Sequence, residues 1–125
     1  MRTRLPDTRM AQTSKFKIYT KGEPVKGYIT IGFDADNKPR ELFLKMHGSQ
    51  FNGWTNTVST LISIMLQYDI PIDVIVSKLE FQSFEPSGMT QHKKIKHARS
   101  IVDYIGRFLG YEFIPDYRKG KDVNQ

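Results

Sequence analysis

No cysteine occurs in the 125 residues. That excludes disulfides, thiolate metal sites and any thiol redox step carried by this chain, and it leaves the sequence indifferent to a compartment's redox poise. Only three histidines and 13 acidic residues are present, so material for metal or carboxylate chemistry is scarce. No apolar run reaches the roughly 18 residues that a membrane-spanning helix needs. The densest stretch, Val58 to Leu66, is interrupted by Ser59, Thr60 and Ser63. The N-terminus lacks the apolar core of a secretory signal, so a soluble, cytoplasmic protein with no membrane partner is expected. A Walker-type lysine loop, a dinucleotide fingerprint and a nucleophile elbow are all missing, which argues against an independent enzyme.

What is present is positive charge and a change of period. Nineteen Lys and Arg against 13 Asp and Glu give +6, a balance that favours nucleotides, nucleic acid or an acidic protein surface. Residues 1–14 are basic and aperiodic and read as a flexible arm. Residues 15–114 read as a single domain, and 115–125 as a polar tail. Alternation from Lys15 to Tyr19, β-branched and aromatic density from Gly27 to Phe33, and the run Glu41 to Met46 predict a three-stranded antiparallel meander. Then the spacing changes. Trp54, Val58, Leu61, Ile62, Met65 and Leu66 predict one apolar helix face, with Asn52 or Thr55 as N-cap. A second helix is expected from Pro71, capped by Asp69, and a third carrying Ile95, Ala98, Ile101, Ile105 and Phe108 and ending at Gly110. Strands first and helices after give an α+β fold, with about three helices packed on one face of the sheet.

Few residues carry chemistry. His47, His92 and His97 make no metal motif; on one continuous helix the last two would stand about 140° apart. Asp103 lies four residues before Arg107, the spacing of a helical ion pair. Lys93, Lys94, Lys96 and Arg99 crowd the expected start of the third helix, where cations oppose the macrodipole. Either they form a solvated face or they bind phosphate, with Ser87, Gly88 and Thr90 of the preceding loop supplying donors. Trp54 and Tyr68 read as core and core rim.

Read together, Leu5-Pro6-Asp7-Thr8-Arg9, Gly27 to Phe33, Glu41 to Met46, Leu66-Gln67-Tyr68-Asp69-Ile70-Pro71, Phe84 to Thr90 and Ser100 to Arg107 follow one another in a familiar order. The chain resembles the C-terminal, TSCPD-type domain of adenosylcobalamin-dependent (class II) ribonucleotide reductases, from about Leu5 to Leu109. Asp69 stands where that family usually has glycine. Many such domains carry cysteines, and this one has none. The resemblance implies a module of deoxyribonucleotide synthesis, tied to nucleotide metabolism and DNA replication, without the radical-bearing barrel or its thiols. It implies a non-catalytic accessory, docking or regulatory role beside a reductase catalytic chain. Adenosylcobalamin enters only through that partner, and no metal is expected. As part of a split enzyme the chain would belong to a ribonucleoside-diphosphate reductase. The alternative is a repurposed basic protein binding nucleotide or nucleic acid through Lys93 to Arg99. A sheet covered on one face leaves Tyr19, Tyr28 and Phe33 as docking candidates, for a reductase or for a second copy in a homodimer.

Overall fold

Alternation builds the strands. In β2 (Val25–Phe33) and β3 (Pro39–Met46), Ile29, Ile31, Leu42, Leu44 and Met46 are buried, while Tyr28 is half-buried and Phe43 and Lys45 are exposed. The computed structural model describes residues 1–119; residues 120–125 of the expected tail lie outside the described residues. β1 (Met10–Tyr19) starts five residues before the strand predicted at Lys15, so the arm is shorter than its composition suggested. Two short strands, β4 (Gly88–Thr90) and β5 (His97–Ala98), complete an antiparallel sheet of order β3-β2-β1-β4-β5. The three-stranded meander is therefore only part of the sheet. Strands of three and two residues are too short to print a period on the sequence. The chain divides into two compact units, Met1–Lys15 with Lys26–Pro71, and Phe16–Val25 with the chain from Ile72 on.

In the first unit β2 and β3 pair from Gly27↔Met46 to Phe33↔Pro39, with an irregularity at Gly32/Phe33. The hairpin between them is fixed by Asp34. Its Oδ1 accepts from the Asp36 and Lys38 amides at 2.8 and 3.0 Å, and Asn37 takes φ 61°. Helix α1 (Asn52–Gln67) enters through a single 3-10 turn, Ser49–Phe51, with Phe51 and not the expected Asn52 or Thr55 at the N-cap; phenylalanine has no acceptor to cap with, and the Thr55 hydroxyl donates instead to the Phe51 carbonyl at 2.6 Å. α1 packs on β3, and Ser63 Oγ accepts from the Leu42 amide (2.9 Å) and donates to the Leu42 carbonyl (3.1 Å). β3 ends the strand order, so this serine satisfies backbone groups that an edge strand would otherwise expose.

The end of α1 is a Schellman motif: Ile70 N–H donates to Met65 O at 3.0 Å and Asp69 N–H to Leu66 O at 3.1 Å. The left-handed position belongs to Asp69, at φ 61°, and not to a glycine. Its carboxylate accepts from Arg40 Nη1 at 2.6 Å, an ion pair glycine would lack. Arg40 is buried and also donates to Leu66 O and to Asp34, which holds the Asp34 carboxyl below its ordinary value.

In the second unit α2 (Ile72–Leu79) begins just after Pro71, and α3 (Ile101–Phe113) is the centre of the core. Every residue from Ile101 to Gly110 is buried. Gly106 lets α2 approach: a Cβ there would lie 2.7 Å from Leu79 Cβ and 2.8 Å from the Glu80 nitrogen. Gly110 does not end the helix, which runs on to Phe113; the Tyr117 ring occupies the space of its missing side chain. Tyr117 also donates to the Glu80 carboxylate, so this part of the expected tail is packed. Phe16 of β1 stacks on Tyr104 at 5.0 Å.

Candidate functional site

The basic cluster does not begin a helix. After β4 the chain makes a tight turn through residues 91–96, forms β5, and enters α3 only at Ile101, behind the Ser100 cap that accepts from Asp103 N–H at 2.9 Å. Lys93, Lys94 and Lys96 thus lie away from the helix terminus, and the macrodipole conflict disappears. Ile95 and Ala98, predicted as helix, are buried in the turn and in β5.

The turn is stitched by its own side chains. Thr90 Oγ1 accepts from His92 N–H at 3.0 Å and donates to the Ile95 carbonyl, while the Thr90 amide donates to Lys96 O at 2.9 Å. His92 Nδ1 accepts from the amides of Lys94 and Ile95 at 3.0 and 3.2 Å. Nδ1 must carry a lone pair to do so, which specifies neutral imidazole protonated at Nε2. Desolvation among Tyr104, Phe108 and Tyr111 lowers the His92 pKa, and the charges of Lys94 and Arg107 lower it further against an opposing Glu112. His92 is a strut of the turn.

The other candidates disperse. Lys94 Nζ lies 5.5 Å from the Tyr111 ring centroid, and Arg99 Cζ lies 5.2 Å from that of Phe81. Lys93 and Lys96 are exposed and form no ion pair among the described residues. Ser87 donates to the Glu85 carboxylate at 3.3 Å and lines a cleft with Thr20, Lys21, Gly22 and Glu85, where an acid already sits. Gly88 has a different duty: a Cβ there would stand 1.9 Å from the Tyr19 carbonyl oxygen, so glycine is what lets β4 reach β1. Among the described residues no group of three His, Cys, Asp or Glu could hold a metal ion, and no helix is long and apolar enough to cross a membrane.

The Asp103–Arg107 pair is no surface bridge. Both side chains are buried, and the carboxylate accepts four hydrogen bonds: Phe81 N–H (2.6 Å), Arg99 N–H (2.8 Å), Arg107 Nε (3.0 Å) and Arg107 Nη2 (2.7 Å). Arg107 also donates to the His97 carbonyl. The pair ties the segment after α2 and the strand before α3 to α3 itself. The sequence showed the spacing but not the burial.

On the surface, Tyr19 is 48% exposed with Lys17 Nζ 5.5 Å from its ring centroid, and Tyr28 is half-buried and tilted against His47. Phe33 is half-buried at the irregular end of β2. The face predicted for α1 is rotated. Thr55, Ser59, Ile62 and Leu66 are buried, while Trp54, Val58 and Met65 are half-exposed and Leu61 and Tyr68 are 55% and 53% exposed. Residues 54, 58, 61, 65 and 68 fall within an arc of about 80°, at the alternating spacing of four and three of a coiled-coil seam. α1 has no charged residue over its whole length.

These features define a small α+β domain whose Asp103–Arg107 pair is buried inside the fold. Residues 3–113 match the TSCPD domain, and the chain belongs to that family. It is 43% identical over 115 residues to a vitamin B12-dependent ribonucleotide reductase of Rhodopirellula baltica, covering 90% of this chain and 11% of that protein. Proteins of the same name from Streptomyces avermitilis and Agrobacterium fabrum are 38% and 35% identical over 92% and 90% of the chain, and 12% and 9% of their own length. The chain therefore spans about a tenth of the length of these three relatives. No solved structure matches it.

Proposed function

We propose that this domain serves vitamin B12-dependent ribonucleotide reduction as a non-catalytic module that docks on, or regulates, a reductase catalytic chain. The observation that carries the reading is the 43% identity to such a reductase over nine-tenths of the chain. Two features support it. Without cysteine the domain has no thiol to supply electrons to a ribose, so the reduction and the adenosylcobalamin belong to the partner. The uncharged α1 seam is the kind of surface an interface core uses, since charged residues are depleted there.

The test is sedimentation of the 125-residue chain with a vitamin B12-dependent ribonucleotide reductase from which the matching tenth has been deleted. A complex that survives high salt is expected. Leu61→Glu, on the exposed centre of the seam, should abolish it without lowering the thermal midpoint. No complex at about 50 µM chain, a concentration at which any association tighter than about −6 kcal/mol would show, overturns the reading. Salt-sensitive retention of nucleic acid alone would move the function to Lys93 and Lys96.

A further inference from the structure

We infer that the first unit holds a binding site for a phosphate-class dianion, in the cleft between the N-terminal arm and α1. The inference is independent of any reductase.

The arm is seated on the domain. Thr3 N–H donates to the Gln67 carbonyl at 2.7 Å, Arg2 Nε to Gln67 Oε1 at 2.6 Å, and Leu5 packs on Gly32, where a Cβ would stand 2.9 Å from Leu5 Cδ1. Seated this way, Arg2 and Arg4 form one wall of a cleft of about 260 Å³. The opposite wall is the side of α1 that carries Asn56, Thr60, Ser63 and the buried Gln67, beside the buried Ser59 and away from the apolar seam.

Charge in this cleft is unbalanced. Glu41 is the one carboxylate lining it, and it is paired with Arg9 at 2.7 Å. Apart from the bond to Gln67, Arg2 has no side-chain partner among the described residues, and Arg4 has none. Two guanidinium groups therefore face one cavity without a counter-charge, and two unit charges call for a dianion. The α1 wall narrows the ligand further. Thr60, Ser63 and Ser59 already donate to Asn56 O, Leu42 O and Thr55 O, so the side-chain donors left for a ligand are the guanidinium forks and the amides of Asn56 and Gln67. A tetrahedral dianion made of acceptors only, with oxygens arranged for bidentate guanidinium contacts, fits this set, as a phosphate does. Phe43, 50% exposed at the same cleft, offers a flat apolar surface to the organic part of a monoester.

The experiment is a heteronuclear NMR titration of the intact chain, at constant ionic strength, with inorganic phosphate, pyrophosphate and adenosine monophosphate. Saturable shifts confined to the amides of residues 2–5 and 56–67 are expected. Arg4→Gln should weaken binding about tenfold, the loss of one charge-assisted contact, whereas a Lys93→Gln, Lys96→Gln double variant should leave it unchanged. Among the described residues the Arg4 side chain forms no hydrogen bond or ion pair, so an unchanged thermal midpoint will separate loss of binding from loss of fold. If the monophosphate outbinds inorganic phosphate and moves the Phe43 resonances, the ligand is a phosphate monoester; equal binding assigns the site to free phosphate. Shifts that do not saturate, that map to Lys93–Arg99, or that survive both Arg2→Gln and Arg4→Gln overturn the inference.

Discussion

Replacing Asp103 with asparagine removes one charge and almost no volume, yet it should come close to unfolding the domain. The carboxylate accepts from two backbone amides and twice from Arg107, at 2.6–3.0 Å, with both side chains buried. An asparagine has a single acceptor oxygen there, and its amide group turns donor against donor. The guanidinium is left buried without a counter-charge, a loss worth about 3–5 kcal/mol when one partner of a buried pair is removed. One unsatisfied buried amide adds about 1–3 kcal/mol, not fully additively. Against a total stability of about 5–15 kcal/mol, the variant keeps a minority of it. Urea unfolding followed by far-ultraviolet circular dichroism measures this directly. At a slope of about 1–3 kcal/mol per molar, the midpoint should fall by roughly 2 M. The companion Asp103→Leu, Arg107→Met variant removes both charges and should recover part of the loss, since apolar replacement of a buried pair is often neutral, though Phe81 and Arg99 N–H remain unpaired. A loss below about 1 kcal/mol for Asp103→Asn would refute the buried-hub argument.

Three further outcomes follow from the same geometry. His92 has a folded pKa below its unfolded value, so the unfolded chain binds more protons near that range and stability rises with pH. The contribution is complete above about pH 6.5 and is lost as pH falls through the lower folded value; His92→Asn, which keeps an acceptor oxygen, should flatten that slope relative to the parent in urea melts at pH 5–7. Tyr104, stacked between Phe16 and Phe108, has its pKa pushed up to about 12 by burial. In absorbance titration at alkaline pH a tyrosinate phase near pH 12 is expected, and Tyr104→Phe should remove it; a titration curve left unchanged by that substitution with the fold intact would contradict it. Gly106→Ala should lower the thermal midpoint by roughly 4–8 °C, overpacking of about 1–3 kcal/mol outweighing alanine's helix preference of about 1 kcal/mol. Gly53→Ala, with nothing within 4 Å of the new Cβ, should raise it.

The sheet's first three strands were legible because alternation records burial directly, and Ile29, Ile31, Leu42 and Leu44 are inside as their parity required. β4 and β5 were not, because their pairing depends on a backbone approach at Gly88 that no side-chain pattern encodes. α1 was legible as a helix but not in its orientation. Hydropathy selects Trp54 and Val58 for the core, whereas Thr55 and Ser59 take those places by donating to the carbonyls four residues back, which hides the hydroxyls within the helix. The start of α3 was misread because Ile95 and Ala98 happen to continue its spacing. The signal that would have placed it was present: Ser100, three residues before Asp103, is a capping serine with an acid in the first turn. Burial of Asp103 and Arg107 had no signal, since an exposed pair uses the same spacing.

The distribution of partners separates structural groups from those still open to a ligand. Asp103, Arg107, Arg40, Asp34, Asp69, Thr90 and the Nδ1 of His92 all hold backbone or counter-charge inside the domain. A general acid or base must exchange protons with a substrate, and groups held this way would lose the fold in doing so. Among the described residues, the side chains of Arg4, Lys93 and Lys96 form no hydrogen bond or ion pair, and Leu61 is 55% exposed on the apolar seam. The seam and the Arg2–Arg4 cleft lie on different stripes of α1, so one helix can present a docking face and an anion site together. Leu61→Glu and Arg4→Gln should consequently fail in different assays, each leaving the other's binding intact.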